Sequence, residues 1–127
     1  MKNKKLLVLF TEDFYRFYYA INLANTIKAC NQDITVFISG YAFNFLRSNW
    51  KSYDKKKICS AVFKNYNCDL DQLIRLSVEL KIDFFFCETA LSLLGIKQND
   101  LNEKLKMKPF GLYSLVSKYK NENIIFI

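Results

Sequence analysis

The side chains best suited to covalent chemistry in this sequence are four thiols: Cys30, Cys59, Cys68 and Cys87. No two stand in Cys-x-x-Cys spacing, so neither a zinc knuckle nor a thioredoxin-type dithiol is expected. Histidine is absent, which removes His-based triads, His general bases and His metal sites. The only glycines are Gly40, Gly95 and Gly111, too far apart to build a G-x-G-x-x-G turn or a phosphate-cradling loop. Ordinary nicotinamide dehydrogenases and P-loop NTPases fall away on that count. Neither a cofactor nor a metal is expected, and what remains is the chemistry of a thiol.

Cys87 has the best position of the four. It follows residues 82–86, an apolar run that reads as a buried strand, and precedes residues 88–94, a short helical stretch. Gly95 closes that stretch as a C′ residue in the left-handed region. At or near a helix N-cap, free backbone N–H groups and the positive helix end favour the thiolate, which is the nucleophilic form. The N–H groups of Glu88 and Thr89 are the expected donors. The Glu88 carboxylate opposes a neighbouring thiolate, and cations from residues 47–64 offset it if that segment folds over the site. The competing reading is plain: a free cysteine is often a small buried hydrophobe. Cys30 lies at a helix end. Cys59 falls in an irregular stretch and is a possible second thiol, as is Cys68 just before a helix cap.

The elements that would hold this thiol follow from hydrophobic pattern. Residues 5–10 and 34–38 read as strands, the second rich in β-branched residues. Phe14, Phe17, Tyr18, Ile21 and Ala24 fall at helical spacing between them, on a helix ending near Asn31. Gly40 breaks the second strand, and residues 41–47 read as a helical turn. Residues 50–67 lack a clean period and read as a long loop with one short helix, a place where lids and binding loops occur. Asp69 and Gln72 form a capping-box pair opening a helix whose core face is Leu70, Leu73, Ile74 and Leu80. Residues 109–112 are a short strand or strand entry, Leu112, Leu115, Val116 and Tyr119 mark a last helix, and residues 123–127 close as a strand. Alternating strands and helices imply an α/β domain: a mostly parallel five-stranded sheet with helices on both faces and right-handed crossovers. Ligands bind beyond the carboxyl ends of such strands. Four places qualify: residues 11–13, residues 39–41, residues 87–89 and Gly111.

Composition sets the bounds. At 127 residues, half apolar and with 12 Phe and 8 Tyr, the chain suits a single domain (residues 1–127) with one core. No run approaches the ~20 apolar residues of a spanning helix. Lys2, Lys4 and Lys5 before a short apolar stretch imitate a signal peptide, but Glu12 and Asp13 follow at once, so a buried strand is expected instead. Reduced thiols in a cytoplasm are the corresponding expectation. The net charge of +7 is concentrated at residues 47–66, where Arg47, Lys51, Lys55, Lys56, Lys57 and Lys64 face Asp54 alone. Trp50, Tyr53, Phe63 and Tyr66 interleave with them as stacking platforms can, so anion or nucleic-acid binding is one alternative. A solvated basic loop is the plainer one, and nucleic acid is not the favoured partner.

A family resemblance enters on two stretches. Residues 82–96, running Ile82-Asp-Phe-Phe-Phe-Cys87-Glu-Thr-Ala-Leu-Ser-Leu-Leu-Gly95-Ile96, resemble a segment of the DsrE/DsrF/DsrH-like family. There a strand ends in cysteine and a short helix leads to a Met-Gly-Ile turn, whose place Leu94-Gly95-Ile96 takes here. Residues 37–47, Phe37-Ile-Ser-Gly-Tyr-Ala-Phe-Asn-Phe-Leu-Arg47, resemble the family's Phe-Phe-Thr-Phe-Trp-Gly-Leu-Asn-Leu-Leu-Arg segment, with Tyr41-Ala42 replacing Trp-Gly. The resemblance implies a three-layer flavodoxin-like fold, a homo-oligomer (trimer or hexamer), and persulfide chemistry on Cys87, with a thiol-bearing partner protein. It implies a pocket lined by Tyr41 and Asn44, beside Glu88, Thr89 and Thr11. The function expected is a sulfur carrier or sulfurtransferase. The alternative of another class is a non-catalytic oligomeric interaction module on the same fold.

Overall fold

A computed structural model describes residues 4–66 and 68–127. Residues 1–3, with Lys2 of the signal-like start, and Asn67 lie outside the described residues, as do the side chains of Phe63, Tyr66 and Glu122. Five strands form one sheet: β1 (Lys5–Leu9), β2 (Ile34–Ile38), β3 (Asp83–Phe86), β4 (Lys108–Pro109) and β5 (Ile124–Phe126). Every pairing is parallel, and the order is β4-β3-β2-β1-β5. The α-helices are α1 (Phe14–Ala29), α2 (Ile58–Tyr66), α3 (Leu70–Glu79), α4 (Glu88–Leu93) and α5 (Leu112–Val116).

Strand order decides which face each helix covers. From β1 to β4 the chain steps in one direction, and a right-handed crossover then keeps returning its helices to the same face. The last crossover jumps back past β1 to β5, so α5 lands on the opposite face. The core follows this division. Leu7, Leu9, Val36, Ile38, Phe84 and Phe86 pack with Phe17 and Ile21 of α1 and Leu70 and Ile74 of α3. Leu6, Val8 and Phe37 point the other way and meet Leu115 of α5, with Phe85 and Cys87 beside them. The two-residue alternation along each strand does this sorting. Both faces are covered, as the apolar runs of β1 and β2 require, but unequally. One face carries the long helices α1 and α3; the other carries a helix of five residues.

Local signals set several boundaries. Asp13 caps α1 by accepting from the Arg16 N–H at 2.9 Å. Asp69 and Gln72 form the expected capping box on α3, with both bonds made. Gly40 (φ +59°) and Gly95 (φ +66°) take the left-handed conformation at the breaks after β2 and α4. Residues 40–46 are a 3-10 helix rather than an α-turn.

The stretch 50–66 is more ordered than its pattern suggests. It contains a 3-10 turn, Trp50–Tyr53, followed by the nine-residue α2. Buried Asp54 organises it, since its two carboxylate oxygens accept from the N–H groups of Ile58 (3.0 Å) and Cys59 (2.7 Å). Trp50 is 4 % exposed, stacks on Phe14 at 5.5 Å and donates its Nε1–H to Asp71 at 3.1 Å. It is a core anchor and cannot serve as a nucleic-acid stacking platform. Tyr53 is half-buried and accepts a hydrogen bond from the Arg47 guanidinium at 3.0 Å. No helix among the described residues is long and apolar enough to cross a membrane.

Candidate functional site

Cys87 stands where β3 ends and α4 begins. Its own N–H donates to the Ile38 carbonyl at 2.9 Å, which carries the sheet ladder one residue past β3. It has an extended backbone and is the N-cap of α4, with Sγ accepting from the Ala90 N–H at 3.4 Å. The donor is therefore the third residue of the helix, the position an N-cap side chain normally reaches. Glu88 and Thr89 were the expected donors, but no hydrogen bond from either N–H to the sulfur occurs among the described residues.

Cys87 is half-buried and lines an open cavity of about 620 Å³. Glu88 and Thr89 form one wall; Pro109, Phe110, Gly111 and Leu112 form the other. Thus β4, the turn after it and the start of α5 complete the site. The four wall residues from 109 to 112 lie far from Cys87 in sequence, and only the β3–β4 pairing brings them alongside. Gly111 was legible as a strand-end position; Phe110 and Leu112 were not. Phe110 packs on Phe85 at 5.1 Å.

Tyr41 and Asn44 line a different cavity. It measures about 700 Å³ and is bounded by Glu12, Asp13, Phe14, Phe45, Tyr53, Asp54, Lys55, Lys56 and Ile58. The reason for the split is the sheet itself. Phe14 and Phe45 belong to the α1 face, whereas Cys87 continues the outward parity of Phe85 onto the α5 face. Tyr41 and Asn44, expected beside the reactive thiol, therefore do not share a cavity with Cys87 in this chain. Thr11 lines neither cavity; its hydroxyl accepts from the Asp13 N–H at 3.1 Å and shapes the loop entering α1. The basic segment does not lie over Cys87 either. Lys55 and Lys56 face the 700 Å³ cavity, and no lysine or arginine among the described residues lines that of Cys87.

The other thiols stand apart. Cys30 is exposed beyond α1. Cys59 and Cys68 are half-buried against the α1-face core, and neither lines the Cys87 cavity. Burial pushes the Cys59 thiol above its ordinary range, and Asp54 adds to this both by accepting its hydrogen bond and by its charge. A thiol held protonated in this way is a poor nucleophile. Among the described residues, no three cysteine or carboxylate side chains converge to hold a metal.

The parallel sheet in this order defines a class of fold that comparison with known proteins identifies. The model of the DsrE/DsrF-like family matches residues 4–126, and the chain belongs to that family. Among solved structures it is similar to the ychN protein from E. coli, at TM-score 0.67 and 13% identity over 100% of both chains. It is also similar to MTH1491 from Methanobacterium thermoautotrophicum, a protein of unknown function, at TM-score 0.60 and 14% identity. That match covers 99% of this chain and 98% of the other. At such identities the likeness is one of fold. No curated protein matches the chain.

Proposed function

We propose that this protein is a sulfur carrier or sulfurtransferase that holds sulfane sulfur as a persulfide on Cys87. The observation that carries the reading is half-buried Cys87 lining an open cavity, with the Ala90 N–H directed at its sulfur. The Cys87 thiolate attacks the outer sulfur of a donor R–S–SH. The donor's S–S bond breaks as the new one forms, and R–S⁻ leaves with the donor's proton as R–SH. The product, Cys87–S–S⁻, carries the charge the thiolate brought, so the step needs no oxidant or reductant. Transfer onward to an acceptor thiol repeats it in reverse. The Ala90 N–H offers the anion a hydrogen bond, and the walls of Phe110 and Leu112 limit water around it. Incubation with a persulfide donor is expected to add one sulfur mass to the native protein and none to Cys87→Ser. An equal adduct on that variant, or no adduct at any pH, removes the reading.

A second reading keeps the fold as an interaction module without transfer. Glu88 favours it, because it is the ionisable neighbour of Cys87 in the cavity and its charge repels incoming sulfur anions. Thiol labelling before and after unfolding separates the two. An inert native Cys87 supports the module, and rapid native labelling supports the carrier. Under either reading the protein acts as a homo-oligomer in the cytoplasm. Supporting the oligomer, Phe10 and Phe126 are 49% and 68% exposed at the carboxyl ends of β1 and β5, with rings stacked 5.9 Å apart. A sedimenting mass of 15.0 kDa, that of one chain, would refute the oligomer.

A further inference from the structure

The cavity of Cys87 has an unusual charge content for a site handling sulfur anions. Of the seven residues lining it, Glu88 is the only ionisable one besides the thiol. Thr89 contributes a hydroxyl; Pro109, Phe110, Gly111 and Leu112 contribute apolar surface and backbone. One lysine is tied to this wall, Lys118, but its Nζ sits over the Phe110 ring at 4.7 Å, and it lines a separate cavity with Lys4, Lys28 and Lys81. Glu88 is exposed, makes no ion pair among the described residues, and extends from the first position of α4, next to the sulfur in sequence. Glu88 is thus the one charged side chain that the cavity's own lining sets beside the thiol.

We infer that Glu88 is a specificity-determining residue, a charge filter on access to Cys87. It discriminates against free sulfur oxyanions such as thiosulfate and favours persulfides flanked by positive charge. This rests on Cys87 being the sulfur-bearing residue and names the class of donor that can load it. A thiosulfate dianion would leave sulfite behind after giving up its sulfane sulfur, so both the entering and the departing species are repelled. A persulfide set among lysines or arginines is attracted instead, and its departing thiolate leaves a surface whose charge complements Glu88. Field effects of this kind act on the rate of encounter and weaken with salt.

The test uses two alkylating agents of similar size on the native protein, iodoacetamide (neutral) and iodoacetate (anionic), with rates read at Cys87 by mass spectrometry. One unit charge acting across a solvated cavity changes the rate ratio by about threefold. Glu88→Gln is expected to raise the iodoacetate-to-iodoacetamide ratio by that factor at low salt. Glu88→Lys raises it about tenfold, because the charge is reversed rather than removed. Added salt should bring all three proteins together. Circular dichroism should show that the variants keep the fold, since Glu88 is exposed. An identical ratio in the native protein and both variants overturns the filter. The alkylation ratio is independent of sulfur loading, so the two proposals fail separately. A sulfur adduct with unchanged ratios sinks the filter alone, and shifted ratios without any adduct sink the carrier and leave Glu88 only as a charge acting on access to Cys87.

Discussion

At the scale of single residues, the four thiols are distinguished by what surrounds them. Cys87 has an N–H donor and an open cavity; Cys59 has a buried carboxylate. The raised Cys59 value has a testable consequence. Its thiolate fraction stays below that of an ordinary thiol as pH climbs through about 8.5, because burial and Asp54 both hold the proton on. Alkylation of Cys59 should lag behind exposed Cys30 throughout that range, and Asp54→Asn should narrow the lag. The sign for stability follows from the same shift. The unfolded thiol releases its proton at lower pH than the folded one, so the contribution of Cys59 is intact below the unfolded value. It declines as pH rises from there through the folded value. A native protein whose Cys59 labels as fast as Cys30 at every pH would contradict the shift. The role of Ala90 as donor was readable in principle, since an N-cap side chain reaches the second or third residue of its helix. Which face of the sheet the thiol takes was readable too: Phe84 and Phe86 are core by pattern, so Cys87 follows the parity of Phe85.

At the scale of elements, glycine placement gives a clean prediction. Gly40 adopts φ +59° at the start of the 3-10 helix, and a Cβ there would stand 2.6 Å from the Phe10 ring. Gly95 has a similar φ of +66° but nothing within 4 Å of the same position. Gly95→Ala therefore costs only the left-handed penalty, about 1 kcal/mol. Gly40→Ala costs that plus the displacement of Phe10, for a total of about 2 kcal/mol. Denaturant titration of Gly40→Ala, Phe10→Ala and the pair should show the extra cost relieved in the double variant. Strictly additive costs would mean that Phe10 swings aside freely. Sequence reading succeeded on elements of this local kind. The capping box at Asp69, the break at Gly40 and the strand 34–38 each depend on a few adjacent residues. It fell short on residues 50–66, where helix α2 begins because Asp54 reaches forward to two N–H groups across Lys57, itself at φ 53°. No hydrophobic period records such an arrangement. Trp50 misled for a related reason: its basic neighbours are exposed, but its own ring is held by Phe14 and Asp71 from other elements.

At the scale of the whole molecule, the two faces of the sheet carry unequal cover, and the candidate site is on the thinly covered one. Leu115 is 2% exposed and is the sole fully buried residue of α5, meeting Leu6, Val8 and Phe37 across the sheet. The same short helix supplies Leu112 to the cavity wall, directly after Phe110 and Gly111. Stability of the α5 face and shape of the Cys87 cavity are thus coupled through one side chain. Leu115→Ala removes a buried side chain and should cost about 2–4 kcal/mol. It should also loosen α5 locally, since few other buried contacts hold that helix. Phe17→Ala, in the opposite core beneath α1, should cost about 3–5 kcal/mol but leave the cavity wall in place. Two measurements taken together decide the matter: hydrogen exchange over residues 112–126 and the alkylation rate of Cys87 under native conditions. Leu115→Ala is expected to raise both, whereas Phe17→Ala lowers global stability without accelerating either below the unfolding transition. If both variants speed Cys87 labelling in proportion to their lost stability, the thiol is reached only through global unfolding. The open cavity would then have no part in its reactivity.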